Sequence, residues 1–364
     1  SRQYFSALRI IPLVTCSCGA FVSDAAPSSS LLWRKTHSLE VCMSHDAPLV
    51  SVIMNCYNSS EHLREALQSV MAQTFTDFEI VFWDNCSTDE SPAIANSFGE
   101  RIRYFRGDHT VPLGAGRNLA IARARGKYIA FLDCDDLWDP AKLGSQVALF
   151  EANPRLGLVT TDTIVFDGKR ELRRVFASSK PGRGMVYEDL IRRQWISMSS
   201  AMVSREALAS LTEDPSAWNG GWFDETLNVC EEADVFYRIA HDWELDYVDA
   251  PYTRWRVHGS STTFRKFAQF ARETRYILEK QRKLYPGFDV QHAGIVELLK
   301  TRSTFEEGVA LWREGRGAEA RRVIAPYRKS GRKFMALWIL SYFPNTVFDL
   351  AAKVYFALPK IFHS

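Results

Sequence analysis

GKYIAFLDCDDLWDP, residues 126–140, is the stretch whose reading decides the fold. Residues 128–132 (YIAFL) form a short apolar run that reads as a buried strand. The strand ends in three carboxylates within four residues, Asp133, Asp135 and Asp136. Open α/β sheets bind ligands beyond the C-terminal ends of their strands. Like charges this close need a neutralising partner, and a hard divalent cation taking oxygen ligands, shared with substrate phosphates, is the economical one. The competing reading is a helix N-cap ahead of LWDPAKL with a solvated acidic turn. The stretch by itself does not separate the two.

Upstream, residues 49–54 (LVSVIM) read as a β-branched strand, followed by NCYN and a helix. Asn58 is the expected N-cap, with Glu61 three residues on. Leu63, Ala66, Leu67, Val70 and Met71 then recur at helical spacing. Residues 78–83 (FEIVFW) are a second strand that ends at Asp84, inside DNCSTD. A helix over 91–98 carries Pro92 in its first turn. A third strand spans 102–105, and 114–125 (GAGRNLAIARAR) opens on glycines and continues helically. Strands alternating with helices predict a parallel, doubly wound α/β half-domain over roughly 49–150. Strand ends on one sheet edge converge, so NCYN, DNCSTD and DCDD are expected to form one site.

Downstream, 157–162 (GLVTTD) and 196–204 (ISMSSAMVS) read as strands, the second polar enough for a mixed sheet. The Gly-, Arg- and Ser-rich 163–190 reads as a mobile connection, and 218–225 (WNGGWFDE) as loop. Residues 228–241 (NVCEEADVFYRIAH) form a helix opening with paired acids. Short strands follow at 245–248 and 252–257, closed by His258 and GSSTT. From 264 the chain reads as helical, with a helix pair around Gly315 and Gly317. Arg321, Arg322, Arg328, Lys329, Arg332 and Lys333 then precede an apolar, aromatic tail. Such a cluster either lies on an anionic membrane surface or is the solvated face of helices packed on the main domain.

At 364 residues the chain suits one large domain with an appendage, or two domains. The net charge of +2 argues against a general nucleic-acid binder. Seven scattered cysteines, an odd number, are not a disulfide framework, which points to a reducing, cytosolic setting. Cys16 and Cys18 have no nearby His and are not expected to bind metal. The longest apolar candidate for a membrane span, 334–343, is too short and is followed by Pro344. Residues 1–48 lack a sustained period and contain the flexible run AAPSSS. Residues 1–42 are read as upstream sequence, with Met43 as the natural start. A secretory signal built on Arg2, Arg9 and 10–22 ranks second, because Pro12, Thr15 and Ser17 interrupt its apolar core.

VSVIMNCYN, DNCSTD, GAGRNLAIARARGKYIAFLDCDD and EEADVFYRIA, in this order and spacing, resemble the family 2 glycosyltransferases of GT-A fold over about 49–262. The resemblance implies an α/β, Rossmann-like mixed sheet flanked by helices over 49–262, with a helical C-terminal region over 263–364. It implies a nucleotide-sugar donor held with Mn²⁺ or Mg²⁺ and transferred to a glycan or lipid-linked acceptor. Tyr57 and Asn58 then face the base and ribose, Asp84 contacts the base, and Arg117 lies near the donor phosphates. Cys86 stands where the family has Gly. Asp135 is the principal metal ligand and Asp133 serves the ribose and the metal's water shell. Asp136 is assigned to capping the following helix. Glu231 and Glu232 match the family's acidic pair, with Glu232 as general base in an inverting displacement. His258 closes over the diphosphate or metal. Trp218 and Trp222 are candidate acceptor platforms, and Trp195 is read as core. The alternatives are a nucleotidyltransferase, which would show a Gly-rich basic loop where NCYNSSEH stands, and a non-catalytic sugar- or nucleotide-binding scaffold.

Overall fold

The computed structural model describes residues 47–211, 221–257 and 267–347. Residues 1–46, and with them the readings of Cys16, Cys18 and Met43, lie outside the described residues, as do Trp218, His258 and 348–364.

The first half alternates as its apolar pattern requires: β1 (Val50–Cys56), α1 (Ser60–Met71), β2 (Phe78–Asp84), α2 (Ser91–Asn96), β3 (Ile102–Arg106), α3 (Leu113–Ile121) and β4 (Tyr128–Phe131). There follow β5 (Leu137–Trp138), α4 (Lys142–Ala152), β6 (Leu156–Phe166), β7 (Glu171–Arg174), α5 (Tyr187–Arg193), β8 (Met202–Ser204), α6 (Arg205–Ser210), α7 (Glu231–Asp242) and β9 (Glu244–Arg256). The remainder is helical: α8 (Phe267–Leu284), α9 (Phe288–Gln291), α10 (Ala293–Arg313), α11 (Gly317–Ile324) and α12 (Arg332–Leu340).

The strands form one mixed sheet in the order β3-β2-β1-β4-β8-β6-β9-β5, with β7 on β6. β3, β2, β1 and β4 are mutually parallel, so their C-terminal ends share one edge. β8 runs antiparallel between β4 and β6. Side chains alternate across a strand, and the core divides accordingly. Val52, Met54, Ile80, Phe82, Tyr128 and Ala130 meet α1 and α4 on one face. Ile53, Val81, Trp83, Ile129 and Phe131 meet α3, α7, α8 and α10 on the other. A smaller cluster of Val309, Trp312, Ala320, Ile324, Phe334 and Leu337 joins the end of α10 to α11 and α12. The turn into β4 passes so close to β1 that a Cβ on Gly126 would stand 2.4 Å from the Ser51 amide nitrogen.

Four expectations are corrected. The segment 163–190 is not a loose connection: it completes β6, returns as β7 and enters α5. Residues 196–204 supply only the three-residue β8 after a 3₁₀ turn. The two short strands expected after α7 are the single strand β9, whose pairing with β6 jumps from Thr161–Val248 to Thr163–Thr253. Pro251 falls in that irregularity, where no ladder amide is needed. Helix α1 starts one residue later than expected, with Ser59 as N-cap, and Asn58 instead adopts a left-handed φ of 49°.

Candidate active site

Three adjacent parallel strands deliver the polar signatures to one edge. After β1, the amides of Asn58, Ser59 and Ser60 donate to Ser87 Oγ (3.0 Å), Ser91 Oγ (3.0 Å) and Asp89 Oδ2 (2.9 Å), in the loop after β2 and at the first residue of α2. Asn58 Oδ1 accepts from Thr88 N at 2.8 Å. The two loops are therefore stitched together, and Tyr57 projects from the rim, 54% exposed. Cys86 holds the left-handed conformation that a glycine would adopt freely, with φ of 65°, and its thiol donates to Gly107 O at 2.9 Å.

Asp84 is fully buried at the end of β2. Its carboxylate accepts from Ser87 N (2.8 Å), Tyr104 Oη (2.6 Å) and Arg106 Nη1 (2.5 Å). Sequence reasoning missed Tyr104 and Arg106, both on β3.

Arg117, on α3 and 3% exposed, gathers acids from two directions. It donates through Nη1 to Glu231 Oε1 at 2.7 Å and through Nη2 to Asp133 Oδ1 at 3.2 Å, with Glu232 Oε2 4.0 Å from Nη1. Its guanidinium lies 5.4 Å from the Phe223 ring centroid. The next residue, Asn118, exchanges two hydrogen bonds with the Phe223 backbone, each 2.9 Å, and so anchors the loop leading to α7. α3 crosses β1 closely enough that a Cβ on Gly116 would lie 2.5 Å from Asn55 Nδ2. The glycines and the Arg-Asn pair thus act together.

Asp133 is partly open to solvent, Asp135 is partly buried, and Asp136 is buried. Asp136 does not cap a helix: α4 begins six residues later, at Lys142, after Ala141. Its carboxylate accepts from Ser199 Oγ (2.6 Å) and from Arg256 N (2.8 Å). Ser199 Oγ also accepts from Asp133 N at 3.1 Å, and Arg256 Nε donates to the Asp135 carbonyl at 2.8 Å. The acidic turn is therefore clamped by β9 and by the 3₁₀ turn before β8. Neither Ser199 nor Arg256 carries a local signal of this role.

Burial pushes the Asp133 carboxyl above its usual range; Arg117 offsets part of this, and Asp135 and Glu231 add to it. Asp136 is raised further by burial and by Asp135 and Asp133. Glu232 is raised to about 8, chiefly by burial, then by Glu231, with Arg117 opposing and Asp133 adding. Glu231 is buried at the first position of α7, and its Oε2 has no hydrogen-bond partner. Among the described residues no three His, Cys, Asp or Glu side chains cluster as metal ligands. Two strand-end carboxylates do suit a cation of the Mg²⁺ or Mn²⁺ kind, which binds through one or two carboxylates plus phosphate and water. Three acids, Asp133, Glu231 and Glu232, face Arg117, and Asp135 stands beside them in the sequence turn, which leaves negative charge for such an ion to neutralise. Trp195 is buried against Phe176, as core, while Trp222 is half-buried.

The sequence model of Glycosyl transferase family 2 matches residues 51–212. Over this segment the sequence is that of the family 2 glycosyltransferases. An uncharacterised glycosyltransferase of Methanocaldococcus jannaschii is 29% identical over 218 residues, 58% of this chain and 72% of that one. A Bacillus subtilis glycosyltransferase named for teichuronic acid biosynthesis is 29% identical over 168 residues, 45% of this chain and 65% of that one. In fold, the chain resembles the crystal structure of S. aureus TarS 1–349, with a TM-score of 0.52 and 17% identity, covering 83% of this chain and 91% of that one. The mannosyltransferase PcManGT from Pyrobaculum calidifontis, solved with GDP-Man and Mn²⁺, matches equally well (TM-score 0.52, 17% identity, 87% and 82% covered). The fold is GT-A: a mixed sheet flanked by helices, with a helical C-terminal region.

Proposed function

We propose that this glycosyltransferase is inverting and metal-dependent, and moves a sugar from a nucleotide diphosphate, a UDP-sugar first, to a hydroxyl of a growing glycan or glycolipid in envelope or extracellular polysaccharide synthesis. The observation that carries the reading is the span of Arg117. It joins Asp133, at the strand end where a donor diphosphate would lie, to Glu231 and Glu232, where an acceptor hydroxyl would be deprotonated. TarS has been solved with UDP-GlcNAc and PcManGT with GDP-Man and Mn²⁺, which supports a nucleotide sugar.

Asp135 and Asp133 would hold Mn²⁺ or Mg²⁺, with His258 as a further ligand. The ion, when bound, supplies Lewis-acid stabilisation of the departing diphosphate. Glu232 takes the acceptor's proton as its oxygen attacks the anomeric carbon. Its raised affinity for protons suits a base that works near neutral pH. Arg117 bonds Glu231 and Asp133 and so orders the acids beside the donor phosphates. Tyr57 and Asn58 line the base and ribose. A base contact at Asp84 shares that carboxylate with Tyr104 and Arg106. On α12 and the turn after it, Met335, Ile339, Tyr342 and Phe343 are exposed beside Arg328, Lys329 and Arg332. This pattern supports contact with an anionic membrane surface, on its cytoplasmic side. No helix among the described residues is long and apolar enough to cross a membrane.

The test is thermal stabilisation by UDP, GDP and dTDP, each with and without Mn²⁺, since a ligand of the folded state raises apparent stability. UDP is expected to act only with Mn²⁺, and Asp135→Asn to abolish the effect. Glu232→Gln should abolish transfer and keep the UDP shift. No shift with any nucleotide in folded protein would overturn the reading in favour of a scaffold.

A further inference from the structure

Helix α8 meets the start of α7 through a single carboxylate. Glu273 is 6% exposed. It accepts from Asn228 N, Val229 N and Cys230 N, each at 2.9 Å, and from Gln269 Nε2 at 2.9 Å. Asn228 and Gln269 share Oε1, and Val229 and Cys230 share Oε2. These amides are the last three before Glu231 and Glu232. Cys230, the N-cap of α7, offers no side-chain cap of its own. Two turns along α8, Lys280 bonds both Asp224 (2.7 Å) and Asp234 (2.9 Å), so the same helix also grips the loop before α7 and the end of its first turn.

We propose that Glu273 is a positioning residue for sugar transfer, acting through the backbone of 228–230 to fix where Glu232 stands. This rests on the reading of Glu232 as the base. A base has to stand within hydrogen-bond reach of the proton it takes, and a displacement near 1 Å costs about 100-fold in rate. Three consecutive amides converging on one carboxylate leave the backbone at Glu231 little freedom of direction. Glu273 lies beyond the segment that matches the family, so this support is a property of the chain's C-terminal helices.

Glu273→Gln keeps the volume but replaces one acceptor oxygen with an NH₂ group facing N–H donors, whichever way the amide turns. Glu273→Asp keeps the charge and shortens the reach. Amide hydrogen exchange over 228–232, kcat, donor KM and melting temperature are measured for both variants. In Glu273→Gln, exchange at 228–230 is expected to rise at least about tenfold. Its kcat should fall about 10- to 100-fold, with donor KM and the UDP–Mn²⁺ thermal shift retained, and Glu273→Asp should recover part of kcat. Wild-type kcat, unchanged exchange, or kcat and donor affinity lost together would overturn the proposal. Should Glu273→Gln not fold, Gln269→Ala removes one of the four partners. A several-fold kcat loss with exchange raised at 228 then supports the proposal, and neither change overturns it. A wild-type chain that transfers no sugar condemns the reading of Glu232, while exchange at 228–230 judges the clamp separately.

Discussion

Replacing Arg117 with Met tests the electrostatic centre of the site. Arg117 is buried and bonded to Glu231 and Asp133, with Glu232 4.0 Å away. Glu231 is the vulnerable partner, because it is 3% exposed and its second oxygen already lacks a hydrogen bond. Removing one side of a buried pair costs about 3–5 kcal/mol, since the remaining charge is stranded. For the roughly 280 described residues the unfolding entropy near 60 °C is about 0.6 kcal/mol/K, so the melting temperature should fall by about 5–8 °C at pH 7.5. In Arg117→Met/Glu231→Gln the stranded charge is gone, and most of the loss should return. Asp133 keeps 42% of its side-chain surface in solvent and is served by water. Transfer activity should stay lost in both variants. Calorimetry decides: a fall under about 1 °C in the single variant, or a double-variant loss equal to the sum of the singles, refutes the account.

The proton held by Glu232 sets a pH trend. With its folded pKa raised to about 8, the native state binds a proton that the unfolded chain has released, so Glu232's contribution to stability declines as pH rises from about 4.5 to 8; melting curves of Glu232→Gln across that window should be flatter than wild type. Transfer should rise with pH over the upper part of the same range, and a pH-independent kcat would remove Glu232 as base. Gly126→Ala forces a Cβ onto the Ser51 amide at 2.4 Å, and overpacking of this kind costs about 1–3 kcal/mol or more, read by urea unfolding. Vesicle flotation should recover the full chain with anionic but not neutral lipid, and Met335→Ser/Ile339→Ser should reduce it severalfold; equal recovery argues against membrane contact.

The parallel half was readable because β1, β2 and β4 are buried on both faces, so each shows as an apolar run between turn signals. The acids of DCDD and α7 stood out by type and spacing. What stayed hidden depends on partners remote in the chain. Asp136 resembled a helix cap because Ser199 and Arg256, 63 and 120 residues away, give no local sign of binding it. Asn58 resembled an N-cap because the groups that serve the start of α1, Asp89 and Ser91, come from the next loop. β7 has four exposed residues and no alternation, so only its pairing with β6 makes it a strand. The break expected between 248 and 252 is a change of register within β9, which is a property of β6 as much as of β9.

The four hydrogen bonds between the loops after β1 and β2 have a mechanical consequence. Neither loop can swing without carrying the other, so the two respond to load as one stiff lip. A nucleotide that touches only Tyr57 would damp the motion of Thr88 as well, and slackening either side would loosen both.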